Sequence, residues 1–312
     1  MELILDKTYE FIGKTENINK GAHFRNTTIV TREGERVNIK LEQEQLERLE
    51  LGHVYRFETK AVPRTEEDTV LRCLSLEPIE AVYKDKELEA LLDHFYDYAP
   101  MPMMAIKKEV EGYMARIENP VLAEVTKAIY AKNERVFYLH PAATKFHHAY
   151  VGGLSYHTLT MLRMVDPFLA IYPFLNRDLL YAGTILHDMS KIDEISGVDG
   201  EYTTEGQLIG HLVMQTIAID EAARKLGYEK TEEVLLLKHM ILSHHGQYHF
   251  GSPKKPQTGE ALLLWHLDTI DSKMTVLGET LEQTLDGSFT QMVSVLDRMR
   301  FYKSRIKKEE KK

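Results

Sequence analysis

The sequence predicts an α+β chain in which a small N-terminal β-barrel precedes a larger all-α domain. Two patterns predict it. Up to about residue 80, short runs of β-branched and aromatic residues alternate with turn residues. From Lys84 onward, apolar residues recur at three- and four-residue spacing. The length of 312 residues, with 43% hydrophobic and 28% charged side chains, suffices for two domains with buried cores.

The predicted strands are Tyr9–Ile12, Asn26–Thr31, Arg36–Leu41, Val54–Thr59 and Val70–Leu76. Turn residues separate several of them, as in Arg32-Glu33-Gly34-Glu35 and Thr65-Glu66-Glu67-Asp68. Between the third and fourth strands, Glu42–Leu51 reads as a helix with Leu46 and Leu49 on one side and Gly52 as its stop. Three strands, a helix and two strands is the order of an OB-type barrel, a fold that often binds oligonucleotides. Any small antiparallel β domain also fits that pattern. Helices are expected over Lys86–Tyr98 and Ile106–Glu118, broken by Pro100, Pro102 and Pro120. Further helices are expected over Gly153–Asp166, Arg177–Asp188, Gln207–Leu226, Thr231–Ser243 and Glu260–Thr275, punctuated by Gly227, Gly246 and Gly251. These elements divide the chain into 1–82 as the OB-like domain, 83–140 as a helical linker and start of the helical domain, 141–290 as its main body and 291–312 as a basic C-terminal tail. From Arg298 to Lys312 there are eight Lys/Arg against two Glu, and a solvated tail is the preferred reading over a phosphate-contacting arm.

The net charge of −9 speaks against a general nucleic-acid coat protein but not against an enzyme with a local basic channel. Cys73 is the only cysteine, which excludes an intramolecular disulfide and a thiolate zinc cluster. No apolar run reaches the ~20 residues that span a bilayer, and the first residues lack a signal peptide's layout. A soluble cytoplasmic protein without a membrane partner is expected.

Chemistry concentrates in His157, His187, Asp188, His211, His244, His245 and Asp268. Each falls inside a predicted helix or at its end, on or beside an apolar face: His157 has Leu154 and Met161 as helical neighbours, and His211 has Leu208 and Gln215. Burying imidazoles and carboxylates there is costly unless they are paired or bind a cation. One such histidine is usually a satisfied core residue; five helices each directing a His or Asp inward point to a metal. Imidazole with carboxylate suits Mn, Fe, Co, Ni or Zn, and the donor supply is enough for two ions about 3.5–4 Å apart.

The order His157 … His187-Asp188 … His211 … His244-His245 … Asp268 resembles the HD superfamily of all-helical metal-dependent phosphohydrolases. The phrases Phe146-His147-His148-Ala149-Tyr150-Val151-Gly152-Gly153-Leu154-Ser155-Tyr156-His157-Thr158, Leu186-His187-Asp188-Met189-Ser190-Lys191, Gly206-Gln207-Leu208-Ile209-Gly210-His211 and Leu242-Ser243-His244-His245-Gly246 resemble one branch in particular, the YhaM-type 3′–5′ exoribonucleases of Gram-positive bacteria. Those carry an OB-type domain before the HD domain.

The resemblance implies His157, His187, Asp188 and Asp268 as ligands of one ion, with Asp188 bridging to a second ion held by His211 and His244. His245 replaces or supplements His244, and Asp271 serves as a supporting or packing residue. His187, Asp188 and Lys191 are implied in catalysis, Lys191 at the position that brings an ammonium to the substrate phosphate. The implied cofactors are two divalent ions, manganese first, with Co, Fe, Ni, Mg or Zn as substitutes. The implied reaction is metal-dependent hydrolysis of single-stranded RNA from its 3′ end to nucleoside 5′-monophosphates, with single-stranded DNA as a further partner. Phe24, Tyr55 and Phe57 are candidates for base stacking in the barrel, and His147 and His148 for lining the substrate entrance. His239 reads as packing. An acidic monomer with one small barrel holds RNA poorly, so a homo-oligomer is expected. The donor set alone leaves open a phosphohydrolase of nucleotides or cyclic dinucleotides, a non-catalytic nucleic-acid-binding protein and a di-iron oxygenase.

Overall fold

In the computed structural model, which describes residues 3–21, 25–64, 68–144 and 148–306, the first strand is long because it serves two partners. Strand β1 (Thr8–Lys20) pairs antiparallel through Thr8–Lys14 with β4 (Val54–Pro63) and through Gly13–Lys20 with β2 (Arg25–Thr31). Gly13 sits where the two pairings meet, and a Cβ there would stand 2.8 Å from Ile29 Cδ1. β2 pairs with β3 (Arg36–Lys40), β4 pairs with β5 (Thr69–Pro78), and a short parallel contact of Ile39 with Leu71 and Lys40 with Arg72 completes the closure. The barrel order is β1-β2-β3-β5-β4, as in an OB-type fold.

Period-two alternation fills the barrel: Val37 and Ile39 point inward from β3 while Arg36, Asn38 and Lys40 face out. The helix expected over 42–51 contracts to one turn, α1 (Gln43–Leu46), with the Gln45 side chain accepting from the Glu42 N–H; Leu46 and Leu49 are still both buried. Two expectations are corrected here. Tyr55 and Phe57 belong to the barrel core, Phe57 with no exposed surface, so neither can stack on a base. Phe24, with Thr65, Glu66 and Glu67 of the expected turn, lies outside the described residues.

The helices are α2 (Ile79–Val82), α3 (Asp85–Leu92), α4 (Met103–Met114), α5 (Pro120–Phe137), α6 (Gly153–Ile171), α7 (Arg177–Leu186), α8 (Lys191–Glu194), α9 (Thr204–Leu208), α10 (His211–Leu226), α11 (Glu232–Ser243) and α12 (Gly259–Glu282). Helix α5 lies within 83–140, expected to be helical, although no helix was bounded there. Pro120 starts this helix: it occupies the first turn, where its missing N–H costs nothing, and Asn119 caps it by accepting from the Leu122 N–H. The helix expected over 207–226 begins only at His211, because Gly210, with φ 78°, separates it from α9. Leu154, Leu162, Tyr181, Ile185, Leu237, Met240 and Leu264 form the middle of the helical core.

Residues 1–98 with 195–204 form one compact unit, and 99–194 with 205–312 form the other. Residues 291–306, placed in the basic C-terminal tail, fold back through the bridges Phe289–Tyr302 and Val293–Met299, burying Val293 and Leu296 against Val276 of α12, while most side chains over 298–306, the part read as solvated, stay exposed. Residues 307–312 lie outside the described part. No described helix is long and apolar enough to cross a membrane.

One ion pair on the helical unit is testable by pH. Asp166 on α6 accepts from both terminal nitrogens of Arg116, at 2.9 and 3.0 Å, and from the Tyr181 hydroxyl. Burial raises its carboxyl, but Arg116 and Tyr181 outweigh that and hold it below the ordinary value. Stability from a depressed acid is present above the unfolded value and is lost as pH falls through the folded one. Asp166→Asn is expected to lower the Tm at neutral pH, and in thermal unfolding the gap to wild type should narrow as pH falls below the ordinary aspartate value.

Candidate metal centre

Helix ends bring most of the predicted donors together. His157 comes from the second turn of α6, His187 and Asp188 from the end of α7, His211 from the first position of α10, His244 and His245 from the end of α11, and Asp268 from α12. Asp188 lies between two groups. Its Oδ2 is 3.3 Å from His187 Nε2 and 3.8 Å from His157 Nε2. Its Oδ1 is 3.3 Å from His211 Nε2 and 3.5 Å from His244 Nε2. On the first side, His157 Nε2 is also 3.2 Å from His187 Nε2 and 3.4 Å from Asp268 Oδ1. On the second, His245 joins His211 and His244, with one ring nitrogen of each within 4.8 Å of the others.

The helix end that carries the two adjacent histidines is closed by Gly246, whose N–H donates to the Ser243 carbonyl. Its φ of 73° turns the chain out of α11, and a Cβ on it would fall 2.0 Å from the Trp265 ring.

Each principal histidine is anchored through its other nitrogen. His187 Nδ1 donates to the Thr184 carbonyl at 2.8 Å, and His244 Nδ1 to the Ile241 carbonyl at 2.7 Å. His157 Nδ1 donates to Asp271 Oδ2 at 2.7 Å, and His211 Nδ1 to Glu194 Oε2 at 2.8 Å. With the proton on Nδ1, the Nε2 lone pair is left to accept. Asp188 Oδ1, His211 Nε2 and His244 Nε2 are buried and have no hydrogen-bond partner. Three acceptors facing one another without a donor cost about 1–3 kcal/mol each, and a cation among them removes that cost. The donor set fits divalent metal ions.

Electrostatics agree with ligation by neutral imidazoles. Burial pushes His211 and His244 below the ordinary histidine value and His245 down to about 4. His157 differs: burial opposes its charge, yet Asp268 and Asp271 hold it up to about 10. Burial likewise opposes the charge on Asp188, but His187 and Lys191 outweigh it and keep the carboxyl well below the usual range. Lys191 Nζ lies 2.8 Å from Asp188 Oδ2; burial pulls the ammonium down and Asp188 more than restores it. His157, His187 and His244 are fully enclosed, whereas Asp268, Lys191 and His245 keep some surface and mark the open side.

Of the two carboxylate supports, Glu194 escaped sequence reading, whereas Asp271 was expected as a supporting or packing residue. Glu194 accepts from both the backbone N–H and Nδ1 of His211, so it caps α10 and orients a donor at once. Asp271 Oδ2 accepts from His157 and also from His148 Nε2 at 2.7 Å. His148 was expected at the substrate entrance, but it is 1% exposed, with φ 55°, and hydrogen-bonds Tyr150 through Nδ1. His147 and Phe146 lie outside the described residues. His239 Nε2 accepts from the Gln257 N–H and ties a loop down.

The barrel carries a separate cavity of about 680 Å³, lined by Leu3, Asn26, Arg36, Asn38, Arg64 and Val70 among others. Asn19, Asn26 and Asn38 form an amide ladder across β1, β2 and β3, at 2.7 and 2.9 Å. No described aromatic side chain lines this cavity.

No model of a known protein family matches the chain. Over 213 residues, 68% of this chain and 68% of the relative, it is 41% identical to the 3′-5′ exoribonuclease YhaM of Bacillus subtilis (strain 168). Over 231 residues, 74% of this chain and 73% of the relative, it is 39% identical to the protein of that name from Bacillus pumilus (strain SAFR-032). With a barrel followed by a helical unit and this similarity across two thirds of its length, the chain belongs to the YhaM family of 3′–5′ exoribonucleases.

Proposed function

We propose that the chain hydrolyses single-stranded RNA from its 3′ end and releases nucleoside 5′-monophosphates, with two divalent cations held in an HD-type centre. The observation that carries the reading is the division of donors about one carboxylate: His157, His187 and Asp268 on the Oδ2 side of Asp188, His211 and His244 on the Oδ1 side. Bound there, the cations supply an ionisable water at neutral pH and offset charge on the non-bridging phosphate oxygens. His157, His187, Asp188 and Asp268 would hold one ion, and Asp188, His211 and His244 the other, with His245 as an added donor. Four imidazoles favour manganese, cobalt, iron, nickel or zinc over magnesium, which prefers oxygen ligands.

The chain's own groups divide the remaining work. Anchoring of each Nδ1 fixes ring orientation before any ligand arrives. Lys191, charged and on the open side, brings a cation to the incoming phosphate. The barrel cavity, with Asn26, Asn38, Arg36 and Arg64, is suited to a sugar-phosphate backbone; stacking within it has no support among the described side chains.

Chelator-treated protein is expected to be inactive on 3′-labelled single-stranded RNA and to release labelled mononucleotides when Mn2+ is restored. Activity that survives removal of every divalent ion would overturn the reading. Hydrolysis of cyclic dinucleotides without hydrolysis of oligonucleotides would replace it with a nucleotide phosphohydrolase.

A further inference from the structure

The loop between α11 and α12 carries chemistry that the metal centre does not use. It leaves His245 through Gly246, makes one 3-10 turn (Tyr248–Phe250) and stops at Gly251, whose φ is 91°. Pro253 and Pro256 stiffen its second half, and the Gln257 N–H donates to His239 Nε2 at 2.9 Å, which fastens the far end of the loop to α11. On this tethered loop Tyr248 is 63% exposed, and Lys255 Nζ stands 5.5 Å from the centre of its ring.

The pair is close to the chemistry. Tyr248 lies four residues after the donor His244, so their Cα atoms can be no more than about 14 Å apart. A rigid loop that displays a ring and an ammonium side by side matches single-stranded nucleic acid, which offers base faces and phosphates in alternation. A base inside a duplex has both faces covered by its stacked neighbours and is held there by its pairing partner, whereas an unpaired base can turn a face to the ring. The barrel cavity offers amides and guanidinium groups but no described aromatic, so this ring supplies a contact that the cavity lacks.

We propose that Tyr248 stacks on the base beside the scissile phosphate and that Lys255 contacts the adjoining backbone phosphate, so that the pair selects unpaired 3′ ends. This rests on the RNA-hydrolase reading of the metal centre.

The test compares a single-stranded RNA decamer with the same decamer made abasic at its last two positions, using the full-length Mn2+-loaded protein. Wild type is expected to lose about fivefold or more in kcat/KM on the abasic strand, mainly through KM, the scale of one lost stacking contact. Tyr248→Ala should show that loss already on the normal strand and no further loss on the abasic one, and Tyr248→Trp should restore discrimination. Lys255→Gln should lower the salt slope of RNA binding by about one. A Tyr248→Ala protein that binds the normal strand as wild type does, and still discriminates against the abasic one, overturns the proposal. So does a wild type that treats both strands alike. Wild type that hydrolyses neither strand overturns the RNA-hydrolase reading instead.

Discussion

Asp188→Ala is expected to reduce RNA hydrolysis by about 10³-fold or more and to weaken both cations together, the scale seen when a group on which others depend is removed. The reason is positional. Asp188 presents Oδ2 to His187 and His157 and Oδ1 to His211 and His244, so one side chain belongs to both groups of donors. His211→Ala, by contrast, removes a donor from one group and should weaken one ion. Titration of Mn2+ into chelator-treated protein separates the cases, with two ions expected for wild type. Full stoichiometry at wild-type affinity in Asp188→Ala would sink the shared-carboxylate arrangement. Folding needs its own control, because the substitution leaves the largely buried Lys191 ammonium without its partner at 2.8 Å. Asp188→Asn keeps the shape and an acceptor for Lys191, and it should fold as wild type in thermal unfolding while still losing activity.

What sequence could reveal about this centre was the set of residues that break a local rule. His157, His187, His211, His244 and Asp268 stand out because each puts a polar group among apolar helical neighbours, a conflict that a metal resolves. Glu194 breaks no such rule: within Lys191-Ile192-Asp193-Glu194 it reads as one more surface charge, and only the fold shows that it closes on His211 seventeen residues later. His148 was visible as a histidine, but its burial depends on a left-handed backbone and on contact with Asp271, which lies 123 residues away. Tyr55 and Phe57 show a further limit. Alternation marks a strand and leaves open which of its faces turns inward, until the pairing of β1 with β4 sets Phe57 opposite Phe11 and closes the barrel around it. Pro120 misled for a simpler reason, since the residue that interrupts a helix also starts one.

The two groups of donors share a design that predicts separable effects. In each, one imidazole is backed by a carboxylate, His157 by Asp271 and His211 by Glu194, and the other by a main-chain carbonyl, His187 by Thr184 and His244 by Ile241. A carboxylate acceptor makes the ring a stronger donor to a cation and locks its tautomer; replacing such a support typically costs 10–100-fold in affinity or activity. Glu194→Gln should therefore weaken only the ion on the His211 side by about that factor, and Asp271→Asn only the ion on the His157 side. The amide in Glu194→Gln can still accept from the His211 N–H, so α10 keeps its cap and the effect is read on the metal, not on folding. Sequential Mn2+ titrations of the two variants are expected to shift different binding steps, and the double variant to shift both. If Glu194→Gln moved both steps equally, the ions would not be held by separate supports, and the division of the donors about Asp188 would have to be redrawn.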